Sequence, residues 1–323
     1  MNSVYLGIAP RKQWDSNFGY CGEVSFISAG LKYGQYISQF DARALASPSI
    51  SQALPKSQLL LGPQNRNNDQ VAARAMHLTF EEFDYAREIS TRAFLAWVRQ
   101  RIISGFPVMI GVYMNQSVFG NGSDNDDEYD HIVPVIGIES PHLLTEQGYF
   151  DDDVIVFSDN GEYTSDSASP SYIFRYTFSE FQKTRTEANS PTSGIYSLAK
   201  CIHRTKNYAI ALTGIATDGF TLSAQVYTNV NEEVPPIVDG SNSRPKSMAI
   251  TLTVTLKGLS VGTRYMLYRY NHMSAVPDKA FNANAGKATR IWDILADTTS
   301  LSIAETIPSN EVAVYRAVEA TAP

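Results

Sequence analysis

From about Asn207 onward the sequence changes its periodicity, and that change constrains the fold more than any single residue does. Upstream, segments with helical spacing are interleaved with short apolar runs. Downstream, apolar and polar residues alternate one by one, as in 220–227, 249–256 and 312–318. A period of two places successive side chains on opposite faces of a strand, so the C-terminal stretch predicts a β-sandwich, with 231–246 and 278–287 as its long loops. A chain of 323 residues exceeds the usual size of a single core. The expected organisation is α+β: a mixed domain over 1–204 followed by an all-β domain over 205–323.

In the upstream part, Thr79-Phe80-Glu81-Glu82 has the pattern of a capping box. The apolar positions Phe83, Ala86, Ile89, Ala93, Phe94, Trp97, Val98 and Ile102 follow at helical spacing as far as Gly105, which predicts one helix across 79–104. Residues 107–114, 131–138 and 154–158 read as buried strands, and 47–69, rich in Ser, Pro, Gln and Asn, as a long loop. The junction 195–204 is apolar and strand-like, unlike a mobile tether, which predicts rigid docking of the two domains and a buried, unreactive Cys201.

Only two cysteines are present, Cys21 and Cys201. Cys21 follows a polar, Gly-containing stretch and runs directly into a helix-like segment, which puts a thiol at a helix N-terminus. Free N–H groups and the positive end of the helix dipole there favour a thiolate and can hold an oxyanion. Glu23, two residues on, adds a carboxylate that opposes thiolate formation. A cysteine nucleophile needs a histidine to take its proton and a third group to fix that imidazole. Of the five histidines (77, 131, 142, 203 and 272), His77 opens a helical stretch and His142, His203 and His272 fall in or beside loops and strand ends. His131 alone stands at the mouth of an apolar strand. The next strand ends in Asp159-Asn160-Gly161, and antiparallel pairing sets that end beside His131. Asp159 is the expected orienting group and Asn160 the alternative, although Asp-Asn-Gly is also an ordinary turn sequence. Gln13 is positioned to serve as a side-chain oxyanion donor with the Cys21 N–H.

Gln13, Cys21-Gly22, the 105–112 segment, His131 with its apolar strand and Asp159-Asn160 occur in the order that resembles papain-superfamily cysteine peptidases. The nearest look is to the peptidases that process bacteriocin leader peptides of the double-glycine type. The resemblance covers the first 200 residues or so and implies a papain-like fold, with the Cys-bearing helix packed on an antiparallel sheet carrying His131 and Asp159 or Asn160. It implies a thioester mechanism acting on peptide or protein amides, with no cofactor. A transferase using the same thioester and a catalytically silent binding scaffold are the other readings. Residues 258–270 resemble the part of fibronectin type III-like modules in which a tyrosine caps a corner before a core strand.

The net charge of −7 and pI near 5.3 argue against nucleic acid as a ligand, and no apolar run has the length of a membrane span. The N-terminus has no signal-peptide core, while abundant Tyr, Ser, Thr and Asn lean toward an extracellular protein. The acidic stretch 124–130 has oxygen ligands of the kind calcium takes, but lacks the internal spacing of an EF-hand, so a solvated loop is the favoured expectation. Just ahead of His131, it is expected to raise that histidine's pKa and to favour positively charged substrates. Asn115 and Asn121 each begin a glycosylation sequon.

Overall fold

The computed structural model describes residues 1–62, 68–120, 126–163, 172–201, 206–228 and 238–321. In chain order the helices are α1 (Cys21–Lys32), α2 (Gln39–Ala46), α3 (Asp69–Ala75), α4 (Thr91–Ile103) and the single turns α5 (Gln116–Phe119), α6 (Phe178–Phe181) and α7 (Arg185–Ala188). The strands are β1 (Asn2–Tyr5), β2 (Gln35–Tyr36), β3 (Leu78–Glu82), β4 (Val108–Met114), β5 (His131–Ser140), β6 (Val154–Ser158), β7 (Ile173–Thr177), β8 (Gln182–Lys183), β9 (Tyr196–Ala199) and β10 (Ala209–Ile215). They continue as β11 (Ser223–Thr228), β12 (Ala249–Lys257), β13 (Arg264–Tyr270), β14 (Arg290–Leu295), β15 (Ser300–Pro308) and β16 (Ala313–Glu319). The fold class is α+β, and the sheets are antiparallel apart from the short pairing of β8 with β9.

Two compact units are present, and neither is continuous in sequence. One comprises Met1–Gln13, Leu59–Gln70 and Phe80–Thr213; the other comprises Trp14–Gln58, Val71–Thr79 and Gly214–Pro323. The contiguous division at 204/205 therefore differs from the observed one chiefly at residues 14–58, which group with the C-terminal strands.

The first unit is built on a sheet ordered β3-β10-β4-β5-β6-β7, with β1 also paired to β5 and β9 to β4. Nine of the ten β5 residues are buried, which is why it reads as an unbroken apolar run. Phe94, Leu95, Val98 and Ile102 of α4 share a core with Val108, Ile110, Val112, Val133 and Val135. α4 begins later than the periodicity suggests. Residues 79–82 lie in strand β3, and the helix is capped by Ser90, whose Oγ accepts from the Ala93 N–H at 3.3 Å. Thr-Phe-Glu-Glu satisfies a capping box and an alternating strand equally well. The adjacent β10 edge supplies ladder partners and decides for the strand. His77 follows α3 in a left-handed turn, with φ of 51°, and does not open a helix. At the junction, Cys201 is half-buried rather than buried; its thiol pKa is raised, mainly by burial, in keeping with a sluggish thiol.

The second unit carries two sheets, β11-β12-β15 and β14-β13-β16-β2, whose inward residues, among them Leu252, Val254, Leu267 and Ala317, share one core with Leu31 of α1 and Tyr36 of β2. At the start of β13, Tyr265 Oη accepts the Ser260 N–H at 3.0 Å. The helix bearing Cys21 is tied to the strands through the residues that follow it. β2 pairs with β16, and the Tyr315 N–H donates to the Gly34 carbonyl at 2.7 Å. Only glycine fits at 34: φ is +72°, and a Cβ would lie 2.8 Å from the Ala224 carbonyl oxygen and 2.9 Å from that of Tyr315.

Candidate active site

His131 is the first residue of β5, and its side chain is almost fully buried, at 2 % exposure. Its Nε2 lies 3.0 Å from the main-chain carbonyl oxygen of Asp159. A carbonyl can only accept, so Nε2 carries the proton and the neutral ring presents its lone pair at Nδ1. Tyr196 of β9 stacks on the imidazole, with centroids 5.9 Å apart and planes inclined by 26°. Burial pushes the His131 pKa down to about 4, only partly offset by the carbonyl contact. The expected rise does not occur.

The acidic loop is itself partly neutralised. Its described residues, 126–130, are held by the Arg185 guanidinium, which donates to the Asp126 carbonyl at 2.6 Å, to the Glu128 carbonyl and to the Asp130 carboxylate at 2.6 Å. The described part of the loop is thus neither freely solvated nor left as bare negative charge, because a fixed guanidinium holds it. Residues 121–125, including the second sequon, lie outside the described residues. At the first sequon, Asn115 is buried, and its Nδ2 donates to the Ser190 and Gly194 carbonyls.

The turn after β6 brings Asp159, Asn160 and Gln13 to His131, but with different atoms from those expected. The Asp159 carboxylate does not orient the ring. Its Oδ1 accepts the Gly161 N–H at 2.9 Å; its Oδ2 accepts the Tyr163 N–H at 2.9 Å and the Tyr196 hydroxyl at 3.1 Å. These donors moderate a carboxyl pKa that burial raises. The carboxylate holds the turn, and the turn aims the carbonyl. Asn160 and Gly161 adopt left-handed conformations, with φ of 59° and 75°, and Asn160 Nδ2 donates to the Ile132 carbonyl at 3.0 Å. The Gln13 N–H donates to the Asn160 carbonyl at 2.8 Å, and its side-chain amide donates to the Glu162 carboxylate. One of the two protons on Gln13 Nε2 is therefore committed before any oxyanion arrives. His203 lies outside the described residues.

Cys21 belongs to the second unit, where it is the first residue of α1 and partly exposed. The loop leading to it runs through three consecutive left-handed residues, Asn17, Phe18 and Gly19, with φ of 48°, 69° and 81°. Asn17 is anchored by its main-chain N–H to Asp239, by Nδ2 to the Ser241 carbonyl and by Oδ1 to the Gly240 N–H. Arg43, on α2, is fully buried and reaches Glu23 and the carbonyls of Asn17 and Gly19. Sequence reasoning missed Arg43, Tyr196 and Glu162. Among the described residues a further group, His142, Asp152 and Asp153, brings ligand-type atoms within 4.8 Å of one another, but Asp153 is already engaged by Arg99 at 2.5 Å and by the Ser140 hydroxyl.

Comparison with protein-family models, with curated proteins and with solved structures finds no match. Among the described residues no helix is long and apolar enough to cross a membrane.

Proposed function

We propose that the chain is a papain-like cysteine amide hydrolase or acyl transferase acting on peptides, with Cys21 as nucleophile and His131 as base. The observation that carries this proposal is the fixed tautomer of His131: a buried imidazole whose Nε2–H is held by a carbonyl, leaving Nδ1 to take a proton. Cys21 at the first position of a helix supplies a thiol at the positive end of the helix dipole, which favours negative charge. The Cys21 N–H and Gln13 are the proposed oxyanion donors. Asp159 acts through its carbonyl and Asn160 through the conformation of the turn. The Tyr265 contact to Ser260 and the three-plus-four strand arrangement support a fibronectin type III-like module for the C-terminal strands, with β2 filling an edge position. Because Arg185 neutralises part of the acidic loop, the substrate's positive charge is a weaker element of the proposal than its amide bond. An extracellular setting rests on composition alone.

The test is alkylation by iodoacetamide followed by peptide mapping, with Cys201 as the internal comparison. Cys21 is expected to react at least ~10-fold faster than Cys201 near neutral pH, and to lose that advantage in His131→Ala. Equal rates for the two thiols, or a Cys21 rate indifferent to His131, would defeat the assignment. They would favour a silent binding scaffold, the reading that the low basicity of His131 supports.

A further inference from the structure

We propose that Arg43 is a positioning residue that sets the reactivity of Cys21, by cancelling the charge of Glu23 and by holding the loop that delivers the sulfur. The proposal rests on Cys21 being the nucleophile. Glu23 stands in the first turn of α1, two residues beyond Cys21, and is 1 % exposed. A buried carboxylate in the same helical turn, with little water to screen it, disfavours ionisation of the thiol. Arg43 Nε meets Glu23 Oε1 at 2.5 Å, with both side chains buried, so the pair presents almost no net charge to the sulfur. The same guanidinium then serves the loop. Nη1 donates to the Asn17 carbonyl at 2.9 Å and Nη2 to the Gly19 carbonyl, while the plane lies over the Tyr20 ring, 3.6 Å from its centroid.

Each of these contacts answers a need of the chain. Three left-handed residues in succession turn their carbonyls away from ordinary ladder partners, and side chains must cap them. Arg43 takes the first and third; Gln58 Nε2 takes the second, that of Phe18, at 2.6 Å. Tyr20, which immediately precedes Cys21, is wedged between Arg43 and Trp14, and its hydroxyl donates to Gln52. Lysine cannot replace this group, because one ammonium cannot span a carboxylate, two carbonyls and an aromatic face together.

Besides Glu23 and Arg43, the titratable groups Tyr20 and Asp239 meet the segment. Tyr20 is buried, with a raised pKa, and Asp239 accepts the Asn17 N–H. His131, which the proposed function sets against the thiol, is unchanged in every variant below.

The experiment measures the pH dependence of Cys21 alkylation by iodoacetamide in the full chain, for the wild type and for E23Q, R43K, R43M and E23Q/R43M. Circular dichroism checks that each variant is folded. R43M removes the cation that offsets the Glu23 charge and should raise the midpoint by about 1 pH unit or more; E23Q/R43M, which removes both charges, should return it to within about 0.3 unit of the wild type. E23Q alone, leaving Arg43 uncompensated, should lower it. R43K keeps the charge and so the midpoint, but should lower the limiting rate, because the loop is no longer pinned. If R43M does not fold, the contrast between a lowered midpoint in E23Q and an unchanged midpoint with a lowered limiting rate in R43K still decides the matter. A midpoint that stays fixed in E23Q, or that moves equally in R43M and in the double variant, overturns the electrostatic role. A Cys21 that reacts no faster than Cys201 in the wild type instead defeats the nucleophile assignment, and the midpoints remain measurable in that case.

Discussion

Replacing His131 with asparagine should change how stability depends on pH, and the size of the change follows from its burial. The folded pKa is pushed down from 6.5 to about 4, so between those values the unfolded chain binds a proton that the folded chain does not. The contribution is intact above pH 6.5 and is lost progressively as pH falls to about 4. A difference of 2.5 units at 1.36 kcal/mol per unit amounts to about 3 kcal/mol. The wild-type curve alone will not show this. Asp69 has its pKa raised from 3.8 to about 7 by burial and by Glu82, so it binds its proton more readily in the folded chain. Acidification from pH 7 to pH 4 therefore stabilises the fold through Asp69 by about 4 kcal/mol, opposite in sign and similar in size. The two effects oppose one another in the intact protein and separate only by subtraction. Urea unfolding of the wild type and of His131→Asn, which keeps an N–H for the Asp159 carbonyl, is the assay, run in steps from pH 8 to pH 4. The stability difference, wild type minus variant, should be constant above pH 7 and fall by about 3 kcal/mol by pH 4. A difference flat to within about 0.5 kcal/mol would show that His131 is not held neutral by burial, and the tautomer argument would fail with it.

Gly34→Ala should destabilise the chain by roughly 2–5 kcal/mol, combining left-handed backbone strain with collision against the Ala224 and Tyr315 carbonyls. Hydrogen exchange should show lost protection in α1, and a loss under about 1 kcal/mol would mean that the β2–β16 edge does not hold the helix. At the turn after β6, Gly161→Ala should slow Cys21 alkylation more than Asp159→Asn does. The asparagine keeps an acceptor for the Gly161 N–H, whereas a Cβ at 161 meets Tyr172 at 3.0 Å and Lys12 at 3.1 Å in a backbone with φ of +75°. The reverse ranking would show that the Asp159 carboxylate, and not the shape of the turn, governs the histidine.

Some of this architecture is legible in the sequence because it is written in composition. β5 begins at His131 and β6 ends at Ser158, as their apolar runs and the Asp-Asn-Gly punctuation suggest. The strands after Asn207 fall where their alternation places them. β2 is illegible for the opposite reason. Two residues have no periodicity, and they are a strand only because β16 offers an edge. That short pairing, together with the Asn17 contacts to 239–241 and Leu31 in the strand core, joins residues 14–58 to the C-terminal strands. Arg43 likewise has no local signature: an arginine in a short helix reads as a solvated charge, and its burial follows from partners as far back in the chain as Asn17. The exchange of carboxylate for carbonyl at Asp159 is decided by backbone dihedrals at Asn160 and Gly161, which residue types permit but do not dictate.

Burial also bears on how a cysteine hydrolase on this framework would work. Moving a proton from an ordinary thiol, pKa about 8.5, to an imidazole with pKa about 4 costs roughly 6 kcal/mol before the charges attract one another. A resting thiolate–imidazolium pair therefore requires attraction of that size. Without it, the resting state is neutral and the proton moves as the sulfur attacks. The fixed tautomer suits the second course: with Nε2–H held by a carbonyl, Nδ1 is the nitrogen left to accept a proton. The neighbouring charges are arranged to leave that balance undisturbed. Arg185 neutralises the described end of the acidic loop, and Arg43 neutralises Glu23. Neither carboxylate group is then left unpaired to pull the imidazole toward its charged form or to push the thiol away from its own.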